Sequence, residues 1–348
     1  LIALTSWLGV VAAYPLLKRL FDRRVALLST VLMALDPFLL AHARFHHLDA
    51  LLTTFVMLSL LLLLVYALRG RQPAYLIGSG VVAGLAMANK SPGVLLVPCA
   101  ALVLFLPLVQ QRSEWRWLAP AAVRALLLWS VVAGGTVVAV WPALWTGPVE
   151  TVRRVLAAAR FYAENPHEAS NYFWFAVRPD PGPFFYPVAW GFRTTPAVIL
   201  GLVAWAAMRR GQKDHRAAGF LLACVLLYTL AMTAGQKKFD RYLLPVFPLV
   251  DILAAAGWVV LLERWRPGFA GLGAAPAVAA LIGLTQLLLL WPTRPYYLTY
   301  YNPLLGGGRV APGPLLIGWG EGLDRAAAYL NGKPEAEKLI ASSWHRME

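Results

Sequence analysis

The feature that most constrains this chain is the recurrence of apolar runs, many close to the roughly 20 residues a helix needs to cross a hydrocarbon core, with short polar breaks between them. Only 14% of the residues are charged and 59% are hydrophobic, whereas a soluble domain carries about a quarter charged residues. Water is the wrong solvent for such a sequence. Spans are expected near 1–17, 25–42, 49–68, 74–89, 92–109, 120–141, 194–208, 217–235, 242–262 and 270–292. The expected fold is therefore an all-α polytopic membrane protein with about ten transmembrane helices. Gly80 and Gly84 in the fourth span are spaced to let two membrane helices approach closely. Cys99 and Cys224 both fall inside apolar runs, far from any metal-type spacing, and read as small buried hydrophobes.

The formal charge of +14 raises nucleic acid as a partner, but the basic residues sit at the ends of apolar spans rather than along one soluble face. Anionic lipid headgroups fit that placement and nucleic acid does not. With the loop at Lys18, Arg19, Arg23 and Arg24 on the cytoplasmic side, alternation puts Arg69 and Arg71, Arg112 and Arg116, Arg209 to Arg216, and Arg264 with Arg266 there too. The other side receives Arg44 to Asp49, Lys90, a long loop at 142–193, Lys237 to Arg241 and everything after about 293. The unusual polar residues thus gather on the non-cytoplasmic face. In the long loop, the stretch from Thr146 through Tyr162 reads as an amphipathic interfacial helix with Arg153, Arg154 and Arg160 on its polar side. Residues 1–292 form the expected membrane domain. Residues 293–348 form an extracytoplasmic C-terminal segment, the beginning of a small soluble appendage, with a capped helix from Glu321 to Asn331. The chain opens at Leu1 inside an apolar run, so a preceding N-terminal stretch is expected.

Three constellations carry possible chemistry. In Arg44-Phe-His46-His47-Leu-Asp49, Asp49 can cap the next span and Arg44 can pair with it, or both can serve a site, because ionisable groups at a membrane boundary are costly. A His-x-Asp grouping also leaves a divalent metal open, without a further ligand of known position. Asp36-Pro37 reads as a cap and helix break. At Asn89-Lys90-Ser91-Pro92, an ammonium beside a helix N-terminus suits an anion, with a snorkelling lysine as the plainer alternative. The third run, Gln236-Lys237-Lys238-Phe-Asp240-Arg241-Tyr242, sets three cations within five residues on the outer side, which points to an anionic ligand. Asp251, deeper in the same span, is expected to pair within the bundle. His167, before an aromatic run, can contact sugar or phosphate or simply lie exposed in its loop.

The stretches Arg44 to Asp49 with Ala-Leu-Leu-Thr-Thr-Phe, Gly84-Leu-Ala-Met-Ala-Asn-Lys90 and Lys238-Phe-Asp-Arg241-Tyr242-Leu-Leu-Pro245 resemble the protein O-mannosyltransferase and lipid A aminoarabinose transferase group, family 39 and its relatives. Tyr301-Asn-Pro-Leu-Leu-Gly-Gly and Gly318-Trp-Gly-Glu-Gly-Leu are similar to bacterial members that use a phospholipid-linked sugar. The resemblance implies a GT-C fold in a bacterial-type plasma membrane. It implies a sugar on a polyprenyl-phosphate carrier, moved with inversion to a protein or lipid acceptor hydroxyl outside the cytoplasm. It also implies that Asp49, with Arg44, is a second acidic residue of the cavity, that Lys90, Arg241 and Tyr242 hold the carrier phosphate, and that the principal base lies in an outer loop preceding Leu1. The chemistry asks for the same residue types: a carboxylate to accept a proton, and fixed cations, here Lys90, Lys237, Lys238 and Arg241, where negative charge develops on a leaving phosphate. A secondary transporter or flippase of an anionic lipid-linked substrate is the rival. Transporters place their charges near the midplane and repeat internally, and this chain does neither.

Overall fold

Apolar runs become helices wherever they are long enough to satisfy their own backbone, and the computed structural model, which describes residues 1–110, 115–166, 170–208, 215–265 and 274–342, follows them closely. The first half contains α1 (Ile2–Leu20), α2 (Arg23–Leu35), α3 (Pro37–Arg44), α4 (Asp49–Leu68), α5 (Pro73–Asn89), α6 (Leu96–Gln110) and α7 (Trp115–Val140). Then come the short α8 (Ala143–Thr146), α9 (Pro148–Glu164), the strands β1 (Asn171–Phe173) and β2 (Ala176–Arg178), and α10 (Phe185–Arg193). The chain continues through α11 (Pro196–Met208), α12 (His215–Ala234), α13 (Phe247–Trp265), α14 (Ala274–Leu290), the single turn α15 (Gly307–Val310) and α16 (Leu323–Asn331). Among the described residues, five helical segments are long and apolar enough to cross a membrane, or seven if each of two bent pairs counts as one span. The stretches Pro73–Asn89 and Ser91–Phe105 are apolar but shorter. The protein is all-α and polytopic as expected, and every expected run carries helix, although length and composition alone do not reach ten spans.

The break inside the second span has a local cause. Asp36 ends α2 with extended backbone, its carboxylate accepts the Leu39 N–H at 2.8 Å, and Pro37 opens α3, whose axis turns by 54°. The turn delivers the end of α3 to one end of the bundle. Asp251 has no cationic partner among the described residues: it is buried, its Oδ2 lacks a hydrogen-bond partner, and it faces the other buried acid, Asp36.

The expected close approach at Gly80 and Gly84 is between α5 and α7, where a Cβ on Gly84 would fall 2.5 Å from the Ala133 carbonyl oxygen. A polar clamp crosses the same region: Ser59 Oγ donates to the Ser79 carbonyl at 3.0 Å, and Trp129 Nε1 donates to Ser79 Oγ at 2.9 Å. Such bonds inside a bundle satisfy groups that lipid cannot. At one end the basic loops are tied together by Arg69 Nε donating to the Arg19 carbonyl (2.8 Å) and by an Arg24–Glu263 ion pair (2.6 Å).

The opposite end carries the long loop and the C-terminal segment, which share a second core with α3. Leu298, Tyr301, Ala311 and Leu315 pack with Phe38, Phe185, Tyr186 and Phe247. Phe173 of the antiparallel β1–β2 hairpin bridges to Leu315, and Asn302 N–H donates to the Phe192 carbonyl at 2.7 Å. Helix α9 has the amphipathic character expected, with Arg154–Glu150 and Arg160–Glu164 pairs along it and Val149, Val152, Leu156 and Tyr162 exposed. The expected helix from Glu321 begins instead at Leu323, after Gly322 in the left-handed region (φ 87°), so Glu321 is free of any capping role.

Candidate functional site

The link between α3 and α4 sets one carboxylate against three basic groups drawn from three parts of the chain. Asp49 is 2% exposed. It is the first residue of α4 rather than its cap, since Leu48 holds the cap position without a side-chain bond, and so the carboxylate sits in the favourable field of the helix N-terminus. Its Oδ1 meets the Lys90 ammonium, its Oδ2 lies 2.7 Å from His47 Nδ1, and the same oxygen is 3.5 Å from Arg241 Nε. The 2.7 Å contact requires a proton on His47 Nδ1. It prevails over the 3.4 Å approach of the Asp49 N–H to that nitrogen, which would need the nitrogen bare.

Several sequence expectations change here. Arg44 does not pair with Asp49: it is exposed, donates to the Pro295 carbonyl at 3.2 Å and lies over the Tyr297 ring at 5.2 Å, because the end of α3 points it toward the C-terminal segment. Lys90, offered as an anion ligand or a snorkelling lysine, has Asp49 as an acidic partner. Ser91 supplies no side-chain cap to the 3-10 turn Ser91–Leu95. Lys238 is a structural cation: its ammonium bonds Asp180 at 2.6 Å and the Gly235 carbonyl at 2.7 Å, and its own N–H bonds Asn171 Oδ1 at 3.0 Å. Lys237 sits over the Tyr162 ring of α9 at 4.3 Å. Tyr242 lies beneath Lys90 and Arg241, at 5.4 and 5.7 Å. His167 lies outside the described residues. The structure thus brings together Asp49, Lys90, Arg241 and Tyr242, and leaves Arg44, Lys237 and Lys238 beside them with other partners.

Two residues were not foreseen as part of this region. Arg193, at the end of α10, is buried, pairs with Asp240 at 2.7 Å, donates to the Leu298 and Tyr300 carbonyls and lies 4.2 Å from the Tyr301 ring. Its only signal was a lone arginine before Thr194-Thr195-Pro196. Trp319 roofs the cluster: its ring lies 4.1 Å from the Arg241 guanidinium carbon, 5.5 Å from Phe239 and 6.0 Å from His47. With Asp240 paired to Arg193 and Asp180 to Lys238, the Asp49 carboxylate is shared between Lys90 and Arg241, so that among the described residues two cations meet one carboxylate there. Among the described residues no group of three His, Cys, Asp or Glu side chains is arranged to hold a metal.

Hollows lie near this cluster, two of them meeting Arg44. A groove of about 160 Å³, walled mostly by apolar side chains including Trp7, Val10, Met33, Leu40 and Met57, runs between α1, α3 and α4 to Arg44. A cleft of about 300 Å³ lies on the other side, between α3 and the C-terminal segment, lined by Arg44, Phe45, Tyr296, Tyr297, Trp319 and Glu321.

The fold and this charged end define a polytopic membrane protein with a polar site at one end of its bundle. Residues 1–134 match the family model described as dolichyl-phosphate-mannose-protein mannosyltransferase, which bears out the resemblance over that stretch. Among solved structures, the chain is similar to ArnT from Cupriavidus metallidurans bound to undecaprenyl phosphate, at 18% identity and a TM-score of 0.49. It is also similar to the same protein in the apo state, at 19% identity and 0.48. In both cases the alignment covers 82% of this chain and 49% of the other, so the chain spans about half their length. No curated protein matches the sequence.

Proposed function

We propose that this chain is part of a glycosyltransferase that moves a sugar, with inversion, from a polyprenyl-phosphate carrier to an acceptor hydroxyl on the non-cytoplasmic face of the membrane. The observation that carries the reading is the pair of cations, Lys90 and Arg241, around the buried Asp49 carboxylate, whose chain neighbour Ala50 lines an apolar groove that ends at Arg44. A polyprenyl phosphate has those two halves: an apolar tail for the groove and an anion for the cations. The match of residues 1–134 to dolichyl-phosphate-mannose-protein mannosyltransferases supports the same donor class.

Departure of the carrier phosphate concentrates negative charge on its leaving oxygen. Cations fixed in advance, in a site partly shielded from water, stabilise that charge more than they stabilise the bound diester. Arg241 is held for the task by its stacking on Trp319 and on Phe239 (4.5 Å). Asp49 keeps Lys90 and Arg241 within reach of one another when no phosphate is present, and can accept a hydrogen bond from a hydroxyl when one is. The outer-face assignment rests on the positive-inside tendency, since Arg19, Arg24 and Arg69 cluster at the end away from Asp49.

The test is transfer from mannosyl-phosphoryl undecaprenol in full-length protein. Lys90→Ala and Arg241→Ala should each lower turnover at least roughly tenfold, the scale of a lost charge-assisted bond to a developing anion. Wild-type rates in both variants would overturn the phosphate assignment. Uptake of a solute into vesicles that depends on Arg241, with no sugar transfer, would replace the enzyme by a transporter.

A further inference from the structure

The cleft between α3 and the C-terminal segment is chemically unlike the cationic centre beside it, and Trp319 is the wall the two share. One contact of the indole is the Arg241 guanidinium at 4.1 Å, and the same residue lines the cleft together with Arg44, Tyr296, Tyr297 and Glu321. The run Gly318-Trp-Gly-Glu-Gly folds back on itself because Gly318, Gly320 and Gly322 all adopt left-handed backbone (φ 85°, 93° and 87°), a conformation that side-chain-bearing residues resist. The result is that Glu321 Oε2 accepts the Trp319 N–H at 2.5 Å, while Oε1 is buried without a hydrogen-bond partner. A buried carboxylate oxygen lacking a donor is costly. Across the cleft, Arg44 carries five N–H donors and spends one on the Pro295 carbonyl.

We propose that this cleft seats the sugar ring of the donor, with Glu321 accepting a sugar hydroxyl and Trp319 providing the surface on which the ring rests. The inference builds on the carrier-lipid reading and extends it to the other side of the phosphate. A pyranose has a C–H face, which suits indole and phenol rings, and a rim of hydroxyls that both donate and accept. The rim meets a carboxylate acceptor in Glu321 and a guanidinium donor in Arg44. A second phosphate is disfavoured by the Glu321 charge. The sugar is bonded directly to the phosphate and so must lie next to it, and Trp319, which contacts Arg241 and lines the cleft, borders both places.

The experiment measures binding to full-length protein in nanodiscs, using undecaprenyl phosphate without sugar alongside mannosyl- and 4-amino-4-deoxyarabinosyl-phosphoryl undecaprenol. Wild type should bind at least one glycosylated lipid more tightly than the bare one. Glu321→Gln retains an acceptor for the Trp319 N–H and should weaken that glycosylated lipid roughly tenfold, the scale of a lost bond to a charged acceptor, while changing the bare lipid less than about twofold. Trp319→Leu should lose more on the glycosylated lipid than on the bare one, and Arg241→Ala should weaken both. Retained affinity for bare undecaprenyl phosphate also reports that Glu321→Gln is folded. Equal losses on bare and glycosylated lipids in Glu321→Gln, or no loss on either, would overturn the subsite. So would a wild type that gains nothing from the sugar while binding the bare lipid. A wild type that binds none of the three lipids would overturn the carrier-lipid reading and the subsite with it.

Discussion

The ammonium of Lys90 rests on Oδ1 of Asp49, joining the end of α5 to the start of α4. The sequence offered Asp49 as a helix cap or a site carboxylate and Lys90 as an anion ligand or a snorkelling lysine; the structure removes the cap and gives the lysine an acidic neighbour. Asp49→Asn therefore does more than exchange one cap for another. It leaves Lys90 and Arg241 near each other without their counter-ion. We expect a loss of about 2 kcal/mol, below the roughly 3–5 kcal/mol of a fully buried broken pair because Lys90 and Arg241 keep some exposure to solvent (24% and 17%). Sugar transfer should fall at least roughly tenfold. Adding Lys90→Met should restore part of the stability, a non-additivity readable from thermal unfolding in detergent. Additive losses would show that the two side chains do not act as a pair.

Lys238 should behave differently from Arg241, because Asp180, Gly235 and Asn171 already engage it. Burial raises the Asp180 carboxyl, but the Lys238 ammonium and the Gly182 N–H outweigh it and hold the group below the usual carboxylate range. A depressed folded-state value means that the pair contributes stability above the unfolded value of about 4, and that the contribution fades as pH falls through the folded value. Lys238→Met should accordingly speed proteolysis near residues 170–182 at neutral pH. The difference from wild type should shrink as the pH drops below about 4. A constant difference across that range would remove the ion pair as its cause.

Gly84 tests the packing of the bundle. A Cβ there would lie 2.5 Å from the Ala133 carbonyl oxygen and 2.6 Å from Thr136 Cβ, whereas one on Gly135 would meet nothing within 4 Å. Gly84→Leu should destabilise by at least the ~1–3 kcal/mol typical of overpacking, and Gly135→Ala should leave the unfolding midpoint nearly unchanged. Similar midpoints for the two variants would mean that α5 and α7 do not rely on this approach.

What the sequence revealed was whatever depends on neighbours within a few turns of helix. Apolar runs, the Asp36-Pro37 break, the Gly80 and Gly84 face and the polar side of α9 are all local patterns, and each appears in the structure. Asp49, Lys90, Arg241 and Tyr242 stood out because charge and polarity at a membrane boundary are expensive. Their partners did not, because an ion pair between Asp49 and Arg241 is set by how α4 packs against the turn at Asp240–Val246, and no spacing encodes that. Arg44 was the nearest cation in sequence and is not the one that arrives. Trp319 and Glu321 were visible as a glycine-rich run but not as the roof of a site, since their placement depends on the C-terminal segment folding back over α3.

The face of the membrane on which this site opens is the remaining prediction. Arg71 and the loops at Arg19, Arg24 and Arg69 gather positive charge at the end of the bundle opposite Asp49, which by the positive-inside tendency is the cytoplasmic end. Val177, in β2 of the hairpin near the site, is 63% exposed and makes no ion pair, so a cysteine there should report its side without disturbing the fold. The native thiols offer little background, because Cys99 and Cys224 are both buried. In full-length protein, Val177→Cys should react with a membrane-impermeant maleimide in intact cells, and Arg71→Cys should react only after the membrane is opened. The reverse pattern would place Asp49, Lys90 and Arg241 on the cytoplasmic side, where the outer-face acceptor proposed above could not reach them.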